Sequence, residues 1–233
     1  MLREIVLDTE TTGVDPASDR IIEIGCVELL NHIPTGRTYH AYLNPQRSVS
    51  QGAYNVHGLS EEFLKDKPVF SAIADELLGF VGEARLVIHN ASFDMGFLNA
   101  EFGRTGHPNV PFERAIDTLS LARRKHPNAA NSLDALCARY GIDNSRRTKH
   151  GALLDAEILA EVYIELMGGR QPDLGLAVMR QPLPLAGNSI IVATTAPRMP
   201  VSRLTDADRE AHMAFIATLG ANAIWREYLS GEA

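Results

Sequence analysis

The chain of 233 residues is 45% apolar and carries a net charge of −7, which fits an ordinary globular protein with one large domain, or a medium domain plus an appendage. The acidic balance excludes a broad basic footprint, so any phosphate contact must be local or borne by a metal. The two cysteines, Cys26 and Cys137, sit in apolar patterns and suit reduced packing residues better than a long-range disulfide. No apolar run approaches a membrane span, and the first strand begins too early to leave room for a signal peptide. A cytoplasmic protein without a membrane partner is therefore expected.

The first element, within IVLDTETTG (Ile5 to Gly13), is an apolar run that suits a buried strand. Asp8 and Glu10 follow on alternate positions, so both point to one face and Thr9 to the other. Two such carboxylates stay ionised beside a core only with a compensating cation, for which Mg²⁺ or Mn²⁺ is the natural choice. The other reading is that they are solvated residues leaving a strand into a turn. Ile21 to Leu30 reads as a second strand and Tyr39 to Leu43 as a third, closed by Asn44-Pro45. A meander of this kind makes part of the sheet antiparallel. Asn55 to Ser60, NVHGLS, reads as a loop carrying His57.

Helical spacing runs from Phe70 to Val81, and Leu86 to Ile88 is a short apolar strand entering His89-Asn90. Ser92 is expected to cap a helix through Phe97, Leu98 and Phe102, ending near Gly103. Asp94 falls in its first turn, a place the helix dipole favours for an acid whatever its function. Another apolar stretch covers Ala115 to Leu121. Asn131 or Ser132 caps a helix to Tyr140, stopped by Gly141, and a basic loop with Arg146, Arg147 and Lys149 follows.

From His150 a helix runs to about Met167, with Leu153, Leu154, Ile158, Leu159, Val162 and Leu166 on its buried face. Asp155 lies among them, and a carboxylate so close to an apolar stripe is costly without a partner. Prolines then crowd a linker that contains one extended apolar segment, Ser189 to Thr194. Thr205 caps a terminal helix with Ala207, Ala211, Ala214, Phe215 and Leu219 on one face, followed by Trp225. The order of strands and helices indicates a mixed α/β domain.

Three acidic stations stand at element ends: DTE at Asp8 to Glu10, HNASFD at His89 to Asp94, and HGALLD at His150 to Asp155. Their order resembles the DEDDh class of 3′–5′ exonucleases. That resemblance implies a ribonuclease-H-like fold, a mixed five-stranded sheet flanked by helices, over residues 1–170. It also implies that Asp8, Glu10, Asp94 and Asp155 hold two divalent metal ions, Mg²⁺ or Mn²⁺, with His150 as general base. Phosphodiester hydrolysis needs an activated water and neutralised charge on the attacking and leaving oxygens, which two metals supply, and a histidine suits proton removal near neutral pH. Gly151 leaves the His150 loop free to swing over the site. By the same resemblance Glu10, Thr11, His57, Asn90 and Phe93 contact the terminal nucleotide. Gly52 departs from relatives that carry a glutamate there, which puts one contact to the terminal sugar in doubt.

The tail carries two more resemblances. QPDLGL, Gln171 to Leu176, within a linker over 171–202, is similar to the peptides by which replication proteins dock on the bacterial sliding clamp; Gln171, Leu174 and Leu176 would fill its pockets. The block from Leu204 to Gly220, with Ile224-Trp225, resembles the polymerase-binding tail of the epsilon, or proofreading, subunits. Residues 203–233, with Phe215 and Trp225 as anchors, would then bind the catalytic (alpha) subunit of DNA polymerase III. The expected activity is a proofreading 3′–5′ exodeoxyribonuclease acting on a single-stranded or frayed DNA 3′ end. An exoribonuclease of the same fold and a catalytically silent structural subunit are the two rivals.

Overall fold

A computed structural model describes residues 2–147, 149–169 and 205–219 of the chain. The chain divides into two units, residues 1–177 and 178–233. In the first, strand β1 (Arg3–Thr11) lies at the centre of a five-stranded sheet. It pairs antiparallel with β2 (Ile21–Leu30), which pairs antiparallel with β3 (Ile33–Tyr42). On its other side β4 (Arg85–Ile88) and β5 (Ala115–Asp117) run parallel to it, giving the order β3-β2-β1-β4-β5. The mixed sheet flanked by helices is the fold expected from the sequence.

The third strand starts well before Tyr39. Asn31 and Ile33 are joined through a tight reversal in which Asn31 and His32 both take positive φ, 50° and 65°, and Leu30 pairs with Ile33. Paired positive φ values suit the twist of a two-residue hairpin. The early part of β3 was hidden because its side chains, Ile33 included, are exposed, so no alternation marks it. The NVHG stretch is likewise helical rather than a loop: α1 (Gln51–His57) is capped by Ser50 and ends at Gly58, whose φ of 75° is left-handed.

After the short α2 (Glu61–Leu64), α3 spans Phe70–Val81, as its spacing requires, and buries Phe70, Ile73, Ala74, Leu77 and Val81. The next helix, α4 (Ala91–Arg104), begins two residues earlier than a Ser92 cap allows, because Asn90 at φ 67° turns the chain out of β4. Helices α5 (Thr118–Lys125) and α6 (Leu133–Tyr140) follow, capped by Asp117 and Ser132. Helix α7 (Ala152–Leu166) closes the domain.

Side chains of β1 alternate between two cores. Ile5 and Leu7 pack with α3 and α4, whereas Val6 packs with α6 and α7. Burial of each such aliphatic side chain stabilises by roughly 1.5–3 kcal/mol. On α7, Leu153 and Leu154 are only partly buried, and Ala152, Ala156, Ala160 and Tyr163 take the deep positions with Ile158, Leu159 and Val162. The small residues face the sheet because the helix comes unusually close to it. Gly25, paired with Asp8 across β1 and β2, is the reason: a Cβ there would lie 2.2 Å from the Ala152 backbone. Both cysteines are free and buried.

Within the second unit, α8 (Asp206–Thr218) starts in a reciprocal capping box between Thr205 and Asp208. Phe215 on this helix is 60% exposed. Gln171, Leu174, Leu176 and Trp225, with the linker and its extended segment, lie outside the described residues. No helix among the described residues is long and apolar enough to cross a membrane.

Candidate active site

The acidic stations meet at the carboxyl ends of the parallel strands β1, β4 and β5, where open α/β sheets bind ligands. Asp8 and Glu10 come from the end of β1, on the face covered by α7. Asp155 reaches them from the first turn of α7, carried there by the close approach at Gly25. Asp94 arrives from the opposite face, in the first turn of α4, where the Thr9 amide and hydroxyl donate to its Oδ1 at 3.1 and 2.7 Å. Thr9 pointing away from Asp8 is thus what lets β1 hold a carboxylate from each side of the sheet. Ligand atoms of Glu10, His150 and Asp155 all lie within 4.8 Å of one another.

Electrostatics separate these acids into two kinds. Burial, then the charges of Asp94, Glu10 and Asp155, hold the Asp8 carboxyl well above its ordinary value. Burial, with Asp155, Glu23 and Asp94, pushes Glu10 up to about 8. Burial also pushes Asp94 up to about 7, against the Thr9 hydrogen bonds. Asp155 behaves differently: burial would raise it, but His150 and Arg147 hold it below the usual carboxylate range. Carboxylates crowded and desolvated in this way lack counter-charge and fit a divalent cation with oxygen ligands.

Arg147 is the residue that reading the sequence passed over as part of a basic loop. Its guanidinium spans the Asp155 carboxylate, Nε to Oδ1 at 2.6 Å and Nη2 to Oδ2 at 2.8 Å. Nη1 donates to Asp134 at 2.7 Å and Nη2 to His150 Nδ1 at 2.7 Å. Contacts made across a loop, three, eight and 13 residues away, follow no helix or strand period. Gly25 was missed for the same reason.

Two cavities flank the acids, of about 750 and 660 Å³, and share Asp8, His89, Asn90 and His150 in their walls. The smaller holds Thr11, His57 and Phe93 as well, so all the residues expected to contact a terminal nucleotide line one cavity with Glu10. His57 is buried; its Nδ1 accepts from the Leu59 amide at 2.9 Å, and its Nε2 finds no hydrogen-bond partner of good geometry among the described residues. Burial keeps this imidazole below its ordinary value. Gly52 lines the same cavity, with open space where a Cβ would stand. Asn90 is held at the rim by Asp117, whose Oδ1 accepts from the Asn90 amide at 3.1 Å and the Leu119 amide at 3.1 Å. His89 Nδ1 meets the Thr118 hydroxyl at 2.9 Å.

Known proteins with this arrangement are nucleases. The family described as exonuclease matches residues 5–163. The DNA polymerase III subunit epsilon of Rickettsia conorii is 54% identical over 174 residues, 73% of this chain and 76% of that protein. That of Escherichia coli is 44% identical over 238 residues, 96% of this chain and 97% of its own length. Among solved structures, exonuclease X in complex with 5′ overhanging duplex DNA superposes with a TM-score of 0.55 at 28% identity, over 70% of this chain and 90% of that one. The nuclease domain of 3′hExo, a DEDDh family member bound to rAMP, shares the fold with a TM-score of 0.62 at 19% identity, over 71% of this chain and 91% of that one. The chain belongs to the exonuclease family and, within it, to the epsilon subunits of DNA polymerase III.

Proposed function

We propose that this chain is the proofreading 3′–5′ exodeoxyribonuclease of a replicative DNA polymerase, hydrolysing the 3′-terminal phosphodiester of single-stranded or frayed DNA and releasing 5′-mononucleotides. The observation that carries the reading is the meeting of Asp8, Glu10, Asp94 and Asp155 around the end of β1, beside a cavity with room for a nucleotide.

In this reading the four acids hold two divalent ions, Mg²⁺ or Mn²⁺, which activate water and neutralise charge on the phosphate oxygens when bound. The carboxyls of Asp8, Glu10 and Asp94 are raised by burial and, for the first two, by the neighbouring acids, and so lack the counter-charge a bound cation would supply. His150, its side chain 46% exposed and lining both cavities, is the group that would take the proton from the attacking water in this reading. Thr11, Asn90 and Phe93 position the last sugar and base, and the unsatisfied Nε2 of His57 offers that nucleotide a hydrogen bond. Phe93 packs against Phe97 at 4.9 Å between ring centroids with the rings tilted by 47°, which braces it as an apolar wall.

The partners proposed are the catalytic (alpha) subunit of DNA polymerase III, bound through residues 203–233, and the sliding clamp, bound through Gln171, Leu174 and Leu176. Exposed Phe215 on α8 and the full-length likeness to the E. coli epsilon subunit support the first. An acidic chain holds free DNA weakly and gains from partners that present the primer end. A cytoplasmic location goes with this role.

The test is cleavage of a 3′-labelled DNA strand and its RNA counterpart with Mn²⁺, comparing the wild type with Asp155→Ala. Loss of mononucleotide release in the variant supports the assignment. Faster cleavage of RNA by the wild type would favour the exoribonuclease, and no cleavage of either would favour a silent subunit. Retention of a polymerase by the full chain, lost on removing residues 203–233, tests the partner.

A further inference from the structure

Arg147 has no role in the chemistry described so far, yet its side chain is only 7% exposed and makes every contact a guanidinium fork can make in that place. Both oxygens of Asp155 are taken, at 2.6 and 2.8 Å. His150 Nδ1 lies 2.7 Å from Nη2, and because an arginine only donates, that nitrogen accepts. On the outer side Nη1 is tied to Asp134, which is 61% exposed. The fork thus stands where Glu10, Asp155 and His150 converge to within 4.8 Å. Its positive charge also bears on Asp8 and Glu10, in each case against the repulsion of the neighbouring acids.

We propose that Arg147 is a built-in counter-cation, a positioning residue that occupies the Asp155 carboxylate in the metal-free protein and must swing aside for a divalent ion to bind there. A carboxylate whose two oxygens are engaged by one bidentate fork cannot also offer them to an ion at full strength. Swinging aside also frees Nδ1 of His150 from the arginine, because one nitrogen, Nη2, serves both contacts, and leaves it 3.2 Å from Asp155 Oδ2. The tie from Nη1 to Asp134, at 2.7 Å, holds the guanidinium in this metal-free position, so weakening it favours the exchange. His150 is anchored to α1, its amide donating to the Val56 carbonyl at 3.3 Å, so the backbone there has a fixed point while the arginine side chain moves. The consequence is that metal occupancy and release of the histidine are coupled through Arg147. This inference rests on the metal reading given under Proposed function.

The experiment measures Mn²⁺ affinity by calorimetry or spin resonance, and melting temperature with and without Mn²⁺, on full-length protein stripped with EDTA. Arg147→Gln is expected to bind Mn²⁺ about tenfold tighter while melting several degrees lower without metal, since it removes a competitor and leaves a buried carboxylate uncompensated. Asp134→Asn, which loosens the outer tie and keeps the arginine, is expected to bind about threefold tighter. The second variant decides the matter if the first does not fold. It also opposes the simple electrostatic expectation, because removing a nearby negative charge by itself weakens cation binding. Mn²⁺ affinity unchanged or weaker in Asp134→Asn, or in a folded Arg147→Gln, overturns the proposal while leaving the metal site intact. No Mn²⁺ bound by the wild type overturns the metal reading and this inference together.

Discussion

Asp94 and Glu101 lie on one helix, α4, seven residues and about two turns apart, and both are buried. Glu101 meets the Arg20 guanidinium in a two-point contact, at 2.6 and 2.9 Å, and the Ile21 amide at 3.3 Å. Asp94 meets a threonine hydroxyl and an amide, and its carboxyl is pushed up to about 7. The same contrast holds across the domain. Glu28 is tied to Arg3 and Arg37, and Glu4 accepts from the Tyr163 hydroxyl at 2.7 Å. Where a buried acid serves the fold, a partner arrives from a neighbouring element. At the end of β1 the acids are aimed at one another, and Arg147 is the cation that comes among them.

The sharpest way to break this contrast is to remove one acid of the crowded set. Asp8→Ala should lower cleavage by at least ~1000-fold, about 4 kcal/mol of transition-state stabilisation. The metal-free protein should keep its wild-type unfolding midpoint, because relief of repulsion offsets the lost side chain. A variant that unfolds, or one that still cuts DNA, would place Asp8 with the structural acids. Removing a partner from the other set should do the reverse. Arg20→Ala leaves buried Glu101 with the longer contact to Arg104, at 3.4 Å, and should destabilise by about 3 kcal/mol. Cleavage per folded molecule should stay within about threefold of wild type, and urea unfolding beside a single-turnover assay would show whether it does.

Gly25 tests how the two regions are joined. In Gly25→Ala the new methyl meets the Ala152 backbone, so α7 must retreat from β2. Overpacking of this sort costs about 1–3 kcal/mol. The retreat also draws Asp155 away from Glu10 and His150, so kcat should fall by more than KM rises. A loss of stability with kcat unchanged would mean that the helix shifts elsewhere along its length.

Much of this was visible in the amino-acid order, and the exceptions share a cause. Asp8 and Glu10 stand where an apolar run stops and Asp155 interrupts an apolar stripe, whereas Asp94 and His150 gained meaning only from the joint order of the three stations. Strand β2, buried on both faces, was marked by its β-branched and apolar content, and helix α3 came out with the bounds its spacing implies, because burial on one side writes a period into the sequence. The early half of β3 did not, since an exposed strand has no buried face to write one. Helix α1 was concealed by a histidine and a glycine that read as loop residues and instead form its last turn and cap. Arg147 and Gly25 act across space, on residues eight and 127 or more positions away, and no spacing rule reaches them. Local chemistry is written in the sequence; the groups that tune it are recovered only from the fold.

The smallest effect, and the one that reads the crowding directly, is the dependence of stability on pH without metal. Glu10 rises from 4.5 to about 8 and Asp94 from 3.8 to about 7 on folding, and Asp8 rises as well. Between the unfolded and folded values the native chain holds protons that the unfolded chain has lost. Stability therefore falls as pH rises through that interval. Buried His57 and His89, held below 6.5, work in the opposite direction on the acidic side, because there the unfolded chain holds the extra proton. Their influence ends once an ordinary histidine is neutral, which leaves roughly pH 7–8.5 as the window in which the carboxylates act alone. In EDTA the melting temperature should decline by a few degrees across it. Saturating Mn²⁺ should flatten the decline, and Glu10→Gln should reduce it. A metal-free melting temperature that holds level or climbs over this window would mean that the acids at the end of β1 are as well compensated as Glu101, and the contrast between the two regions would be lost.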